Sequence, residues 1–418
     1  MYKKLFFIII MSSIATLFAN PFTFPKPTGQ YPVGTRYVHF VDMNRAEMFT
    51  RAADDKREVT AQVWYPARLE GKSEPRTYRS AAEAMLLSTV EAQYFGQLIN
   101  KVPPDMFAHF SEVRTHSYQD VPLAKAGRPF PVLIYSHGII GGHVSTHSTL
   151  MEELASHGYV VFSISHAYQT PYIKYPDGSI KTFSPSNPAI RKAASEIMNP
   201  EVHALFSELK ETSGLEDQKK LLERISAKRL FLTESVNIWA KDIVFAIDQI
   251  TSLNGSSGPL KGSVDLQKIG LLGWSFGGAS SAQAAIMDKR VKAVINLDGT
   301  TVGDLLEKPL NVPFMFLDRD NRSRPEYLLK NLRNDTYVIN VNGTTHFNFT
   351  DMALYSIPEV EKIMGDINGL RGIEIINAHT LAFFEKHLKD NKTSTLDRLL
   401  SEEENSDIRL EYTSAGLK

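Results

Sequence analysis

Gly273-Trp274-Ser275-Phe276-Gly277 is the segment of this chain most suited to chemistry. It fits G-x-S-x-G, with the apolar run IGLLG leading in and the helix-prone ASSAQAAIM leading out. A serine hydroxyl is a poor nucleophile until a base takes its proton. A sharp strand-to-helix turn lifts such a serine above a sheet, and small residues on both sides allow the strained backbone. The spacing points to acyl transfer through Ser275.

That nucleophile needs a base. The chain has 12 histidines, and His346 in Gly343-Thr344-Thr345-His346-Phe347-Asn348 follows the strand pattern TYVINV. The motif's usual chain order is nucleophile, acid, base, which selects His346. His143, His147, His157 and His166 come too early, and His379 and His387 are expected to cap or decorate a terminal helix. The acid should accept from the imidazole N–H and stabilise imidazolium. Asp298 ends VKAVINLD, while Asp318 and Asp320 end the next strand, VPFMFLD. Position alone leaves the acid open between these two strand ends. The residue after the nucleophile supplies one oxyanion donor, the backbone N–H of Phe276. The second should come from the glycine-rich stretch beyond Ser136, Ser136-His137-Gly138-Ile139-Ile140-Gly141-Gly142. There His137 is expected to brace the loop.

Strands and helices must carry these groups to one rim. Strand patterns fall at Thr35–Val41, Val59–Tyr65, Phe130–Ser136, Tyr159–Ser165, Lys268–Gly273, Val291–Leu297, Val312–Leu317 and Thr336–Val341, with a helix over Met151–His157. Dense apolar strands separated by helices imply a mostly parallel sheet covered on both faces. Residues 185–238 break the rhythm. They are polar and helix-prone, with Pro188 and Pro200 as breakers and a partial apolar stripe at Leu221, Leu222, Ile225 and Leu230. They read as a helical insertion, after which Trp239–Ile250 returns to the core. The tail beyond Asp390 reads as loosely attached, apart from a short helix near Leu396–Glu404.

Composition narrows the function. The 418 residues are 43% hydrophobic and 22% charged, an ordinary globular balance. A net charge of −1 gives no basic excess for nucleic acid. The absence of cysteine excludes disulfides, thiolate nucleophiles and thiolate metal sites. No metal-ligand spacing and no phosphate loop occurs, so neither a metal nor a cofactor is expected. Lys3 and Lys4 precede an apolar run from Leu5 to Phe18, and Ala19 follows. This is the pattern of a signal peptide over 1–19, with 20–418 as one domain of a secreted or periplasmic protein. The run is short for a membrane span.

The set YSHGIIGG, GWSFGG, INLDGT and THFNF, with VWYPA at Val63–Ala67 and LASHGYVVFSISH at Leu154–His166, resembles the platelet-activating factor acetylhydrolase-like branch of the α/β-hydrolases. The resemblance runs from about Gly34 to Lys386. It implies an α/β-hydrolase fold, Asp298 as the acid and Ile139 as the second oxyanion donor. It also implies a cofactor-free serine esterase acting on short or oxidised acyl esters, among them the sn-2 acyl group of a phospholipid, with transient contact to lipid surfaces. Two features depart from the family pattern: Trp274 stands where the family often has His, and the insertion at 185–238 has no counterpart. A lipase or polyester hydrolase with an open cleft is the rival enzyme, and a non-catalytic hydrolase-fold binding protein the rival outside catalysis.

Overall fold

The computed structural model describes residues 22–52, 54–86, 107–389, 395–401 and 407–414; the expected leader, 1–19, lies outside them. The strands are β1 (Val33–Ala46), β2 (Lys56–Pro66), β3 (Ser117–Gln119), β4 (Phe130–Ser136), β5 (Val160–Ile164), β6 (Tyr172–Lys174), β7 (Ile180–Thr182), β8 (Val264–Trp274), β9 (Val291–Leu297), β10 (Phe314–Arg319), β11 (Thr336–Val341) and β12 (Ile408–Thr413). Ten of them form one sheet in the order β12-β11-β10-β9-β8-β4-β5-β2-β1-β3, and β6 and β7 make a separate hairpin. The six strands from β5 through β4, β8, β9 and β10 to β11 run parallel. β1, β2 and β12 join antiparallel at the flanks.

The main helices are α1 (Ser148–Ser156), α2 (Pro188–Ile197), α3 (Pro200–Glu211), α4 (Leu215–Ala227), α5 (Leu230–Gly255), α6 (Phe276–Met287), α7 (Gly369–Leu388) and α8 (Thr395–Ser401). Alternation along each strand sends side chains to opposite faces. Val132, Ile134 and Leu271 pack with Ile243 and Ile247 of α5 and Ala282 of α6. Leu133, Tyr135 and Leu272 pack with Leu150 and Leu154 of α1 and Ile376 and Phe383 of α7. Both faces are therefore dry, which is why the central strands read as unbroken apolar runs.

The insertion is helical, but Pro188 and Pro200 begin its helices rather than break them. Asn187 and Asn199 each cap a helix by accepting from the amide two residues on, at 2.9 Å, with proline next in line. Proline suits that position because its missing N–H would be unpaired anyway. Leu221, Leu222 and Ile225 bury against Val202, Leu205 and Leu209. Leu230 does not join that stripe; it is 62% exposed. The returning helix starts at Leu230, not near Trp239, because nothing interrupts the chain there and Glu196 accepts the Phe231 and Leu232 amides at 2.9 Å.

Three further expectations need correction. The tail is not loosely attached in its described parts, 395–401 and 407–414: Leu396 and Leu400 enter the core, and β12 pairs with β11 from Val341↔Ile408 to Tyr337↔Thr413. Only one face of β12 packs, so its charged alternation hid it. His379 does not decorate the surface; it is buried, and its Nδ1 lies 2.7 Å from the Ile375 carbonyl. The first strand extends to Ala46, five residues beyond the expected end.

Glu152 of α1 is fully buried, and it accepts from the Ser117 hydroxyl and, at 2.9 Å, from the His116 amide. Burial outweighs these bonds and pushes its carboxyl up to about 8, from the ordinary 4.5. The folded state thus holds the proton more tightly than the unfolded chain, and stability falls as pH rises. The contribution is complete below about pH 4.5 and gone above about pH 8. In a thermal-melting series across that window, Glu152→Gln should show a smaller fall in Tm than wild type. Parallel falls would contradict this assignment.

Candidate active site

β8 ends at Trp274, and Ser275 adopts φ 58° and ψ −120° before α6 begins. This left-handed backbone is strained for a residue with a side chain. The flanking glycines make it possible. A Cβ on Gly273 would lie 2.3 Å from the Gly277 carbonyl, and one on Gly277 would lie 2.0 Å from the Ser136 carbonyl. The Ser275 amide donates to the Leu297 carbonyl at 2.9 Å, which ties the turn to the end of β9.

The carboxyl ends of β4, β8, β9 and β11 place the other groups on the same rim. This is where open α/β sheets bind ligands. Ser275 Oγ lies 3.0 Å from His346 Nε2, and His346 Nδ1 lies 2.5 Å from Asp298 Oδ2. With the ring proton on Nδ1, the imidazole donates to Asp298 and can accept the serine proton. Asp298 is buried and also accepts from Arg319 Nη1 at 2.7 Å and Arg322 Nη1 at 2.5 Å. Burial alone would raise its carboxyl, but Arg322, the His346 ring and Arg319 outweigh burial and hold it well below the ordinary carboxylate range. Asp298 therefore stays ionised throughout the neutral range.

The rival acids have other partners. Asp318 is buried in an ion pair with Arg324, whose Nε donates at 2.7 Å. Asp320 accepts the Gly343 amide at 3.1 Å. Among the described residues neither carboxylate bonds to His346.

Trp274 does more than precede Ser275. Its indole stacks on the His346 ring, with centroids 4.7 Å apart and planes 24° apart, and donates to the His346 carbonyl at 3.2 Å. The ring is thus held on one face by packing and at one nitrogen by Asp298.

The loop after β4 passes against Ser275. A Cβ on Gly138 would meet the Trp274 ring at 2.6 Å and the Ser275 Cβ at 3.1 Å. Ile139 and Phe276 line the same cleft as Ser275, Asp298 and His346, a space of about 710 Å³. The Phe276 amide opens α6, ahead of the intrahelical ladder. His137 is buried, its Nδ1 2.8 Å from the Gly138 carbonyl, and burial lowers its pKa, so it braces the loop uncharged.

Behind the loop lies an array that sequence reasoning missed. Ser136 Oγ meets His166 Nε2 at 2.8 Å, His166 Nδ1 meets Asp242 Oδ2 at 2.9 Å, and Arg57 grips Asp242 with two nitrogens at 2.6 and 3.1 Å. His166 also stacks on Trp239 at 3.8 Å, and Trp239 meets Phe276 edge-on at 4.9 Å. All four polar side chains are buried, so the array positions the loop and is closed to substrate. Arg57 and Asp242 are 185 residues apart, and no spacing signal links them.

Fold and site together define a class, the serine ester hydrolases of the α/β-hydrolase superfamily. Within it the chain belongs to the family described as platelet-activating factor acetylhydrolase, isoform II, which it matches over residues 17–406. It is 26% identical to the platelet-activating factor acetylhydrolase of Canis lupus familiaris over 381 residues, covering 87% of this chain and 77% of that protein. It is 19% identical to a probable 1-alkyl-2-acetylglycerophosphocholine esterase of Arthroderma benhamiae, over 90% of this chain and 91% of that one. A ferulic acid esterase from Streptomyces cinnamoneus shares the fold, with a TM-score of 0.69 and 23% identity over 93% of this chain and 99% of that one.

The geometry predicts unequal effects for two isosteric changes. Asp298→Asn should lower kcat by about 10³- to 10⁴-fold, because the amide cannot hold the Nδ1–H tautomer. Asp318→Asn should act chiefly on stability, through its buried pair with Arg324. Steady-state kinetics beside thermal melts decide the point; the reverse pattern would move the acid to Asp318.

Proposed function

We propose that the chain hydrolyses carboxylic esters through an acyl-enzyme, with Ser275 as nucleophile, His346 as general base and Asp298 as its orienting acid. The continuous hydrogen-bonded path from Asp298 through His346 to Ser275 carries this reading. Ser275 Oγ attacks the ester carbonyl while His346 Nε2 takes its proton. The amides of Ile139 and Phe276 receive the oxyanion of the tetrahedral intermediate; one such donor is typically worth about 100- to 1000-fold in turnover. His346 then gives its proton to the departing alkoxide. Water enters, His346 deprotonates it, and the second tetrahedral intermediate collapses to the free acid as His346 returns the proton to the departing Ser275 Oγ.

Short acyl esters, including the sn-2 acyl group of a phospholipid, are the proposed substrates. Family membership and the acetyl ester named for the Arthroderma relative support them. The lysine pair and apolar run before Ala19 support export to the periplasm or medium.

Hydrolysis of p-nitrophenyl esters from acetate to palmitate tests the proposal, with Ser275→Ala as control. Turnover should be highest on the shortest chains and disappear in the variant. Activity rising to the longest chains would favour a lipase. Wild-type rates in Ser275→Ala would remove the serine from the mechanism.

A further inference from the structure

The cleft that contains Ser275 and His346 is also lined by Lys210, Arg229, Arg319, Arg322 and Arg324. Among the described residues, three carboxylates answer these five cations. Asp298 takes Arg319 and Arg322, and Asp318 takes Arg324. Glu196 is the acid whose charge acts on Arg229. Its two oxygens are already engaged by the Phe231 and Leu232 amides, so its charge is shared with the N-terminus of α5. The cleft wall is left electropositive.

Arg229 is the most weakly compensated of the four arginines, its guanidinium lying over the Phe206 ring 5.7 Å from the centroid. It joins α4 to α5 and is 5% exposed. Its Nη1 donates to the Thr300 hydroxyl at 2.9 Å, and its Nε–H has no acceptor among the described residues. Among the described residues no carboxylate reaches it within ion-pair distance. Burial, helped by Arg322, lowers its pKa to about 10, so it remains charged at neutral pH. Burying a charge without an adjacent counter-charge is unfavourable, and a ligand oxyanion would relieve it. The position is close to the chemistry: the Thr300 amide donates to the Ser275 carbonyl at 3.3 Å.

We propose that Arg229, with the partly exposed Arg319, forms an anion subsite that selects esters carrying a carboxylate or phosphate near the scissile bond. The subsite rests on the esterase reading of Ser275 and adds a substrate class to it. Guanidinium groups suit both anions because their planar donors match paired oxygens. The anion can sit on the acyl side, as in the half-ester of a dicarboxylic acid, or on the alcohol side, as a phosphate. The subsite also gives the insertion a part in substrate choice, since α4 leads directly into Arg229.

Two matched pairs test this in the full chain. The acyl arm compares p-nitrophenyl hydrogen glutarate with p-nitrophenyl valerate. The alcohol arm compares 2-acetoxyethyl phosphate with 2-acetoxyethanol. Wild type should favour the anionic member of at least one pair, and that pair locates the anion. In Arg229→Gln the anionic-to-neutral ratio of kcat/KM should fall by about 10- to 100-fold, the range for a hydrogen bond to a charged group. Arg229→Lys should recover part of it, and added salt should shrink it in wild type. A ratio untouched by Arg229→Gln in both arms overturns the subsite while leaving the esterase reading intact. If Arg229→Gln does not fold, a wild-type ratio indifferent both to salt and to Arg229→Lys overturns it. If no ester is hydrolysed, the esterase reading fails separately, and calorimetric titration of wild type with glutarate and with inorganic phosphate still decides. Saturable binding weakened in Arg229→Lys supports the subsite; no binding of either anion overturns it.

Discussion

The crowding at the end of β8 is the constraint on which the site depends. Gly277 lies so close to the Ser136 carbonyl that no side chain fits between them. The first turn of α6 is therefore seated on the end of β4. That contact puts the turn carrying Ser275 and the loop carrying Ile139 at one point above the sheet. It also accounts for the left-handed backbone of Ser275, whose strain is offset by the amide bond to Leu297 and the packing of α6. Alanine at either flanking glycine would force backbone against backbone, which a packed interior cannot absorb.

Charge is handled differently on the two sides of this contact. Asp298 gathers a histidine and two arginines, so its negative charge is well supported inside the protein. Behind the loop, Asp242 gathers Arg57, Arg45 and His166. Burial holds His166 down to about 4, so that ring is neutral and works as a hydrogen-bonded strut. Buried pairs of this kind add little net stability, but losing one partner typically costs about 3–5 kcal/mol. Their value here is geometric. Ser136 is held at its hydroxyl by His166, and the loop carrying Ile139 starts at the next residue.

The sequence was most legible where one physical pattern dominated. β4, β9 and β11 have the expected ends because each is a dense apolar run buried on both faces. The turn at Ser275 was legible because steric crowding demands glycine at fixed places. Position along the chain left the acid open, and the resemblance favoured Asp298. In the structure His346 bonds Asp298, while Arg324 occupies Asp318. β12 was hidden because an edge strand with one packed face alternates with charge. The arginines around Asp298 and the Arg57–Asp242–His166–Ser136 array were hidden because their partners are distant in the chain. Trp274 was visible as a departure from the family, but its stacking on His346 needed coordinates.

Covalent capture of the nucleophile tests the central claim most directly. The full chain would be treated with a fluorophosphonate and the modified peptide located by mass spectrometry. The account predicts one phosphonyl group per chain, on Ser275, with labelling at least about 100-fold slower in His346→Ala because the base is gone. Labelling at another serine, or equal labelling of Ser275 with and without His346, would contradict it.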